Sequence, residues 1–195
     1  MKDKQQLMEE LEEKIKVCKA CSLWQNRTNA VPGEGNLNAK IMLIGLGPGY
    51  WEDQKGRPFV GKAGQLLNQL LESVGLKREN VYITNVVKCI PPNNRPTEEQ
   101  IATCTSLYLK KQIEIISPKI IITLGEIATR WVFLRYGLKY TSMGKLHGKP
   151  IKVSNIFGVL TIIPMYHPAS ALYNPQLKDI LFDDWKSVEN VLKSV

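Results

Sequence analysis

The apolar positions of this chain repeat with two different periods, and the two take turns from end to end. Residues 4–17 carry Leu7, Leu11 and Ile15 at helical spacing, which predicts an amphipathic helix. Residues 39–45 hold the unbroken run Ile41-Met42-Leu43-Ile44, the mark of a strand buried on both faces. Over 62–74 the helical period returns with Leu66, Leu67, Leu70, Leu71 and Val74, and Gly75 stands where that helix would end. Residues 80–87 are rich in β-branched side chains and predict a second strand. Thr97-Glu98-Glu99-Gln100 has the form of a capping box and opens a long helix to about Ile116, broken by Pro118. A third strand follows at 119–124, then a helix over about 126–136, a fourth strand at 159–165, and a last helix beginning at Asn174-Pro175.

Strands alternating with helices predict an α/β fold, with three layers (α/β/α) around a central, mostly parallel four-stranded sheet. No repeat, low-complexity tract or linker interrupts residues 1–195, so one domain is expected. The glycine-rich segment Gly45-Leu46-Gly47-Pro48-Gly49 follows the first strand, and Asn85 lies near the far end of the second. Thr123-Leu124-Gly125 ends the third strand and Met165-Tyr166-His167-Pro168 the last. Ligands of open α/β sheets bind beyond the C-terminal strand ends. These four segments are therefore expected to meet in one crevice.

Composition narrows the class. A chain of 195 residues is long enough to bury a core. Its charged N-terminus has no apolar signal-like run, and no segment is long and apolar enough for a membrane span. A cytoplasmic protein with no membrane contact is expected. The net charge of +8 suits a polyanionic partner such as DNA or RNA. A lysine-rich surface that serves solubility fits the same number, and Lys110-Lys111 and the Lys139–Lys152 segment fit either account.

Four cysteines are candidates for chemistry: the close pair Cys18 and Cys21, and the separate Cys89 and Cys104. Disulfides do not suit a cytoplasmic chain. Zinc sites commonly show two close pairs, whereas iron–sulfur clusters accept looser spacing, and four free buried thiols are the third account. The glycine segment lacks the dinucleotide fingerprint: its third glycine comes early, Pro48 interrupts, and no helix is expected directly behind it. Such a loop lets the backbone approach a ligand, and Phe59 on the following turn supplies a flat face for a base. Asn85 inside an apolar strand is an amide that can meet both a carbonyl and an N–H. His167, one of two histidines, sits at a strand end before Pro168.

Taken together these motifs resemble one family. Cys18-x-x-Cys21, the glycine segment with Glu52-Asp53, and Gly56-Arg57-Pro58-Phe59-Val60-Gly61-x-Ala63-Gly64 carry the resemblance. So do Thr84 to Cys89 with Pro91 to Arg95, Pro118 to Gly125, and Tyr166 to Ser170. Over nearly its full length the chain is similar to family 4 uracil-DNA glycosylases, the iron–sulfur enzymes of thermophilic bacteria and archaea. The resemblance implies a DNA-repair hydrolase that flips uracil out of DNA, cuts its N-glycosidic bond and leaves an abasic site without lyase activity. It implies that Cys18, Cys21, Cys89 and Cys104 hold a structural [4Fe-4S] cluster. Phe59 would stack on the uracil, Asn85 would read its O4 and N3 edge, and the backbone at Gly47 and the side chain of His167 would face O2. Ala169–Tyr173 would form the wedge that fills the space left in the duplex. Uracil-containing DNA is the expected partner of a monomeric enzyme. A sliding clamp or another repair protein is a further candidate, without a recognisable motif.

One departure stands out. The family carries an acid at the place of Leu46, and often another at Tyr50. Leucine cannot orient water or stabilise a cationic sugar. Glu52 and Asp53 are the first candidates to replace that carboxylate, followed by His167 and then His147. Leu46 also admits a second expectation, a protein that binds uracil or damaged DNA with weak or no cleavage. A third, preference for another deaminated base such as hypoxanthine or xanthine, is opposed by Asn85. The chain lacks the Arg/His-rich insertion of covalently trapping relatives, so trapping is not expected.

Overall fold

The computed structural model describes residues 1–195, the side chain at position 155 excepted. Helix α1 (Lys4–Lys16) is opened by a capping box between Asp3 and Gln6. Strand β1 (Glu34–Gly35) precedes β2 (Ile41–Gly45), α2 (Tyr50–Lys55), α3 (Lys62–Ser73) and β3 (Val81–Asn85). Helix α4 (Glu98–Cys104), capped reciprocally by Thr97 and Gln100, continues through a π-helical stretch into α5 (Lys110–Ile116). Then come β4 (Ile120–Leu124), α6 (Glu126–Arg135), α7 (Met143–Leu146), β5 (Ile151–Asn155), β6 (Gly158–Met165) and α8 (Pro175–Leu192).

The sheet has six strands in the order β1-β3-β2-β4-β6-β5. The four inner strands are parallel, and both edge strands are antiparallel to their neighbours. The expected four-stranded sheet is thus corrected to six. Strand β1 has only two residues, and β5 is a half-buried edge whose Ile-Lys-Val-Ser alternation lies beside a lysine-rich stretch. A further correction concerns the glycine segment. Helix α2 opens directly behind it, with Gly49 at its N-cap and Gly56 in the left-handed conformation at its end. Glu52 and Asp53 in its first turn suit the positive end of the helix dipole.

Alternation along the strands builds a core on each face. Met42, Ile44, Tyr82 and Ile121 pack with Met8, Leu11, Ile15, Ile113 and Phe133 from α1, α5 and α6. On the other face Leu43, Ile83, Ile122 and Ile163 pack with Leu67, Leu70, Leu181 and Trp185 from α3 and α8. Helix α1 buries Leu11 and Ile15 as expected, while Met8 rather than Leu7 completes its inward face. Register aligns the C-terminal strand ends: Gly45 pairs with Asn85, and Leu124 with Met165. Among the described residues no helix is long and apolar enough to cross a membrane.

Candidate functional site

A crevice of about 730 Å³ opens at these strand ends. Leu46, Gly47, Glu52, Phe59, Asn85 and His167 all line it, so the structure brings together the residues singled out by position. Asp53 is not among the lining residues. Its buried carboxylate accepts backbone N–H bonds from Thr28 (2.9 Å) and Asn29 (3.3 Å). Asp53 thus ties α2 to the 28–29 segment, away from the crevice, whereas Glu52 beside it faces the crevice. His147 is also elsewhere, with Nδ1 2.7 Å from an Asp184 carboxylate oxygen on α8.

Asn85 is buried, and its Oδ1 has no hydrogen-bond partner. A buried amide oxygen left unpaired costs about 1–3 kcal/mol, which a ligand N–H would recover. Gly45 makes room for it: a Cβ there would come 2.5 Å from Asn85 Oδ1 and 2.7 Å from Phe59 Cζ.

Phe59 is held in an unusual backbone state, φ +50°, where non-glycine residues are rare. Arg78 secures it by donating to the carbonyls of Pro58 (2.7 Å) and Phe59 (3.0 Å). The same guanidinium meets Glu34 at 2.6 Å, and Arg57 meets both Glu34 oxygens. Burial alone would raise the Glu34 carboxyl, but hydrogen bonds and charge from the two arginines outweigh it and hold the group below its usual range. Gly64 is required at its place because a Cβ there would overlap the Phe59 carbonyl.

The His167 ring lies nearly parallel to Phe59, centroids 5.5 Å apart at 24°. Its Nδ1 accepts the Ala169 N–H at 3.0 Å. A neutral imidazole accepting at Nδ1 must carry its proton on Nε2, so it offers one N–H donor. Burial pushes its pKa down to about 4, which keeps it neutral near pH 7. Glu52 is half-buried. Burial raises its carboxyl above the ordinary range, against hydrogen bonding from the backbone of Glu52 itself, Gly49 and Gly61.

The four cysteines line a second, small pocket between α1, the end of β3 and α4. Ile15, Trp24, Leu107 and Tyr108 make its remaining wall largely apolar. Burial pushes the Cys104 thiol up to about 11, with Lys88 pulling the other way. Burial likewise raises Cys89, against Arg27, whose guanidinium donates to its sulfur at 3.2 Å. Among the described residues no three His, Cys, Asp or Glu side chains converge as a single metal ion requires. Four thiol donors spread around one apolar-walled pocket fit a polynuclear iron–sulfur group better than one zinc ion.

Lys88, buried between the two pockets, was not anticipated from the sequence. Its Nζ donates to Thr84 Oγ1 (2.6 Å), the Asn85 carbonyl (2.7 Å) and Gln112 Oε1 (2.6 Å). Thr84 and Gln112 both donate to the Pro32 carbonyl. A lysine set between the apolar pair Val86-Val87 and Cys89-Ile90 was the available signal. Arg78 and Glu34 gave none, since their partners lie far away in sequence.

Residues 32–188 match the model of the uracil DNA glycosylase superfamily. The chain is 49% identical over 185 residues to the type-4 uracil-DNA glycosylase of Sulfurisphaera tokodaii, covering 94% of this chain and 84% of that one. It is 50% identical over 185 residues to that of Saccharolobus solfataricus, covering 93% and 85%. With that of Thermotoga maritima the identity is 46% over 196 residues, covering 99% and 98%.

Proposed function

The chain belongs to the type-4 uracil-DNA glycosylases of the uracil-DNA glycosylase superfamily, and from that membership we propose that it hydrolyses the N-glycosidic bond of uracil in DNA and leaves an abasic site. The observation that carries this reading is the unpaired, buried Oδ1 of Asn85 beside Phe59 in the crevice. A uracil lying against Phe59 would give its N3–H to that oxygen and place O4 at the amide nitrogen. His167 Nε2–H and the backbone at Gly47 would face O2, where negative charge grows as the bond to the sugar breaks. A donor fixed in advance in a water-poor site stabilises such a leaving anion without reorganising. His167 acts as a neutral hydrogen-bond donor in this scheme, since burial holds it unprotonated.

The sugar becomes cationic as uracil leaves, and a carboxylate is the natural group to steady it and to orient water. Glu52, in the first turn of α2, takes that role here; the other acid lining the crevice, Glu126, is engaged by Arg130 at 2.8 Å. Leu46 lines the crevice as well and offers no acceptor. It favours a second reading, a protein that binds uracil in DNA tightly and cuts it slowly or not at all.

Cys18, Cys21, Cys89 and Cys104 would hold a [4Fe-4S] cluster, which would join the segment after α1, the end of β3 and the end of α4 and take no part in bond cleavage. Residues 1–195 act as one domain on uracil-containing DNA, as a cytoplasmic monomer, with a sliding clamp or another repair protein as a candidate partner. The test is product analysis with a uracil oligonucleotide. Wild type should yield abasic sites, Glu52→Gln should slow the reaction about 10²-fold or more, and Leu46→Glu should speed it. No abasic product at stoichiometric enzyme excludes the glycosylase reading, and tight binding without product establishes the second.

A further inference from the structure

We propose that Tyr50 and Trp51 form a stacking platform for an unpaired nucleobase neighbouring the extruded uridine, so that the enzyme favours single-stranded or locally opened DNA; this rests on the crevice being the uracil site. Both side chains stand in the first turn of α2, directly behind the glycine segment, and both line the crevice. They are large aromatics left in water: Tyr50 is 63% exposed and Trp51 55%. Their rings meet edge to face, centroids 5.1 Å apart at 81°, so the pair forms a ledge. Trp51 is seated against Gly61, where an added Cβ would come 3.5 Å from Trp51 Cδ1. The Lys55 ammonium lies 6.0 Å from the Trp51 ring centroid.

The occupant follows from continuity and charge. The ledge adjoins the pocket of Phe59 and Asn85, and Lys62 and Arg95 line the same crevice. A nucleotide strand threading the crevice would set its phosphates against these cations and its bases against these rings. Every base has a π face, so an aromatic platform binds without regard to sequence. In an intact duplex the neighbouring base is already stacked and paired, and must give that up to reach Trp51. In a single strand it is free, and the platform acts there at no such cost.

Two measurements test this. The first compares kcat/KM on a uracil-containing single strand and on the same strand in a duplex. For Trp51→Ala the ratio of single-strand to duplex activity should fall about tenfold, carried by KM, while Trp51→Phe should retain most of it. The second titrates a uracil-free oligodeoxythymidylate and follows tryptophan fluorescence. Quenching should occur in the wild type and be largely lost in Trp51→Phe, because the indole would be the ring that meets the base. An unchanged activity ratio together with quenching that persists in Trp51→Phe overturns the platform. The titration contains no uracil, so an enzyme inactive on uracil fails the earlier reading without deciding this one.

Discussion

Gly45→Ala probes the recognition geometry most directly. Gly45 has an ordinary strand backbone, so alanine brings no torsional strain and the effect is purely one of space. The new methyl would stand 2.5 Å from Asn85 Oδ1 and 2.7 Å from Phe59 Cζ. To regain an ordinary contact near 3.4 Å, the amide must retreat by about 0.9 Å and the ring by about 0.7 Å. Neither has slack: Phe59 is clamped by Arg78, and the Asn85 backbone is held by β2 pairing and by Lys88. Overpacking of this kind costs about 1–3 kcal/mol of stability. Displacing a recognition group by about 1 Å costs about 10²-fold in rate. The assay is kcat/KM on a uracil oligonucleotide beside urea denaturation. Gly144→Ala, whose Cβ meets only Ser142 Oγ at 4.0 Å, serves as the remote control. If Gly45→Ala keeps kcat/KM within about threefold of wild type, Asn85 and Phe59 do not read the base from this crevice.

Arg78→Met removes the donors to Pro58 and Phe59, so kcat/KM should drop at least about tenfold with about 2–4 kcal/mol lost in denaturation; Arg78→Lys should not rescue it, because a single ammonium cannot reproduce the fork. Lys88→Met leaves three buried acceptors without their donor and should cost about 2–4 kcal/mol, read from the urea midpoint. For His167 the folded pKa of about 4 lies below the ordinary 6.5, so the unfolded chain takes up the proton first as acid is added. Its contribution to stability is therefore present above about pH 6.5, is lost as pH falls towards about 4, and levels off below. Its protonation should put no break in kcat/KM between pH 8 and 5; a break near 6.5 that vanishes in His167→Gln would contradict the neutral-donor role. Purified protein should be brown, with about four irons and four sulfides per chain, and Cys104→Ser should lose them; a colourless protein with stoichiometric zinc would refute the cluster.

Long periodic segments were legible in the sequence, because burial of a face repeats every third or fourth residue or runs unbroken through a central strand. The four parallel strands and the long helices follow from that. Strand β1 has two residues and α2 six, too few for a period to show, and β5 hides its alternation among lysines. At the site, Phe59, Asn85 and His167 could be found because strand ends and turns mark them. Glu52 and Asp53 could not be told apart, since neighbours on a helix point about 100° from each other. One faces the crevice and the other faces residues 28–29. Arg78 and Lys88 work on carbonyls and hydroxyls set by the tertiary fold, which leaves no local pattern to read.

The pairing of Gly45 with Asn85 limits how this chain can change length. Thr84 faces Pro32 and Gln112, whereas Asn85 faces Phe59 on the opposite side of the sheet. A one-residue slip between β2 and β3 would bring Thr84 or Val86 level with Gly45 and turn the amide away from the base. Insertions or deletions within these strands therefore disturb recognition together with the packing of both cores. Those in the β5–β6 turn, far from the strand ends that carry the crevice, leave that alignment intact.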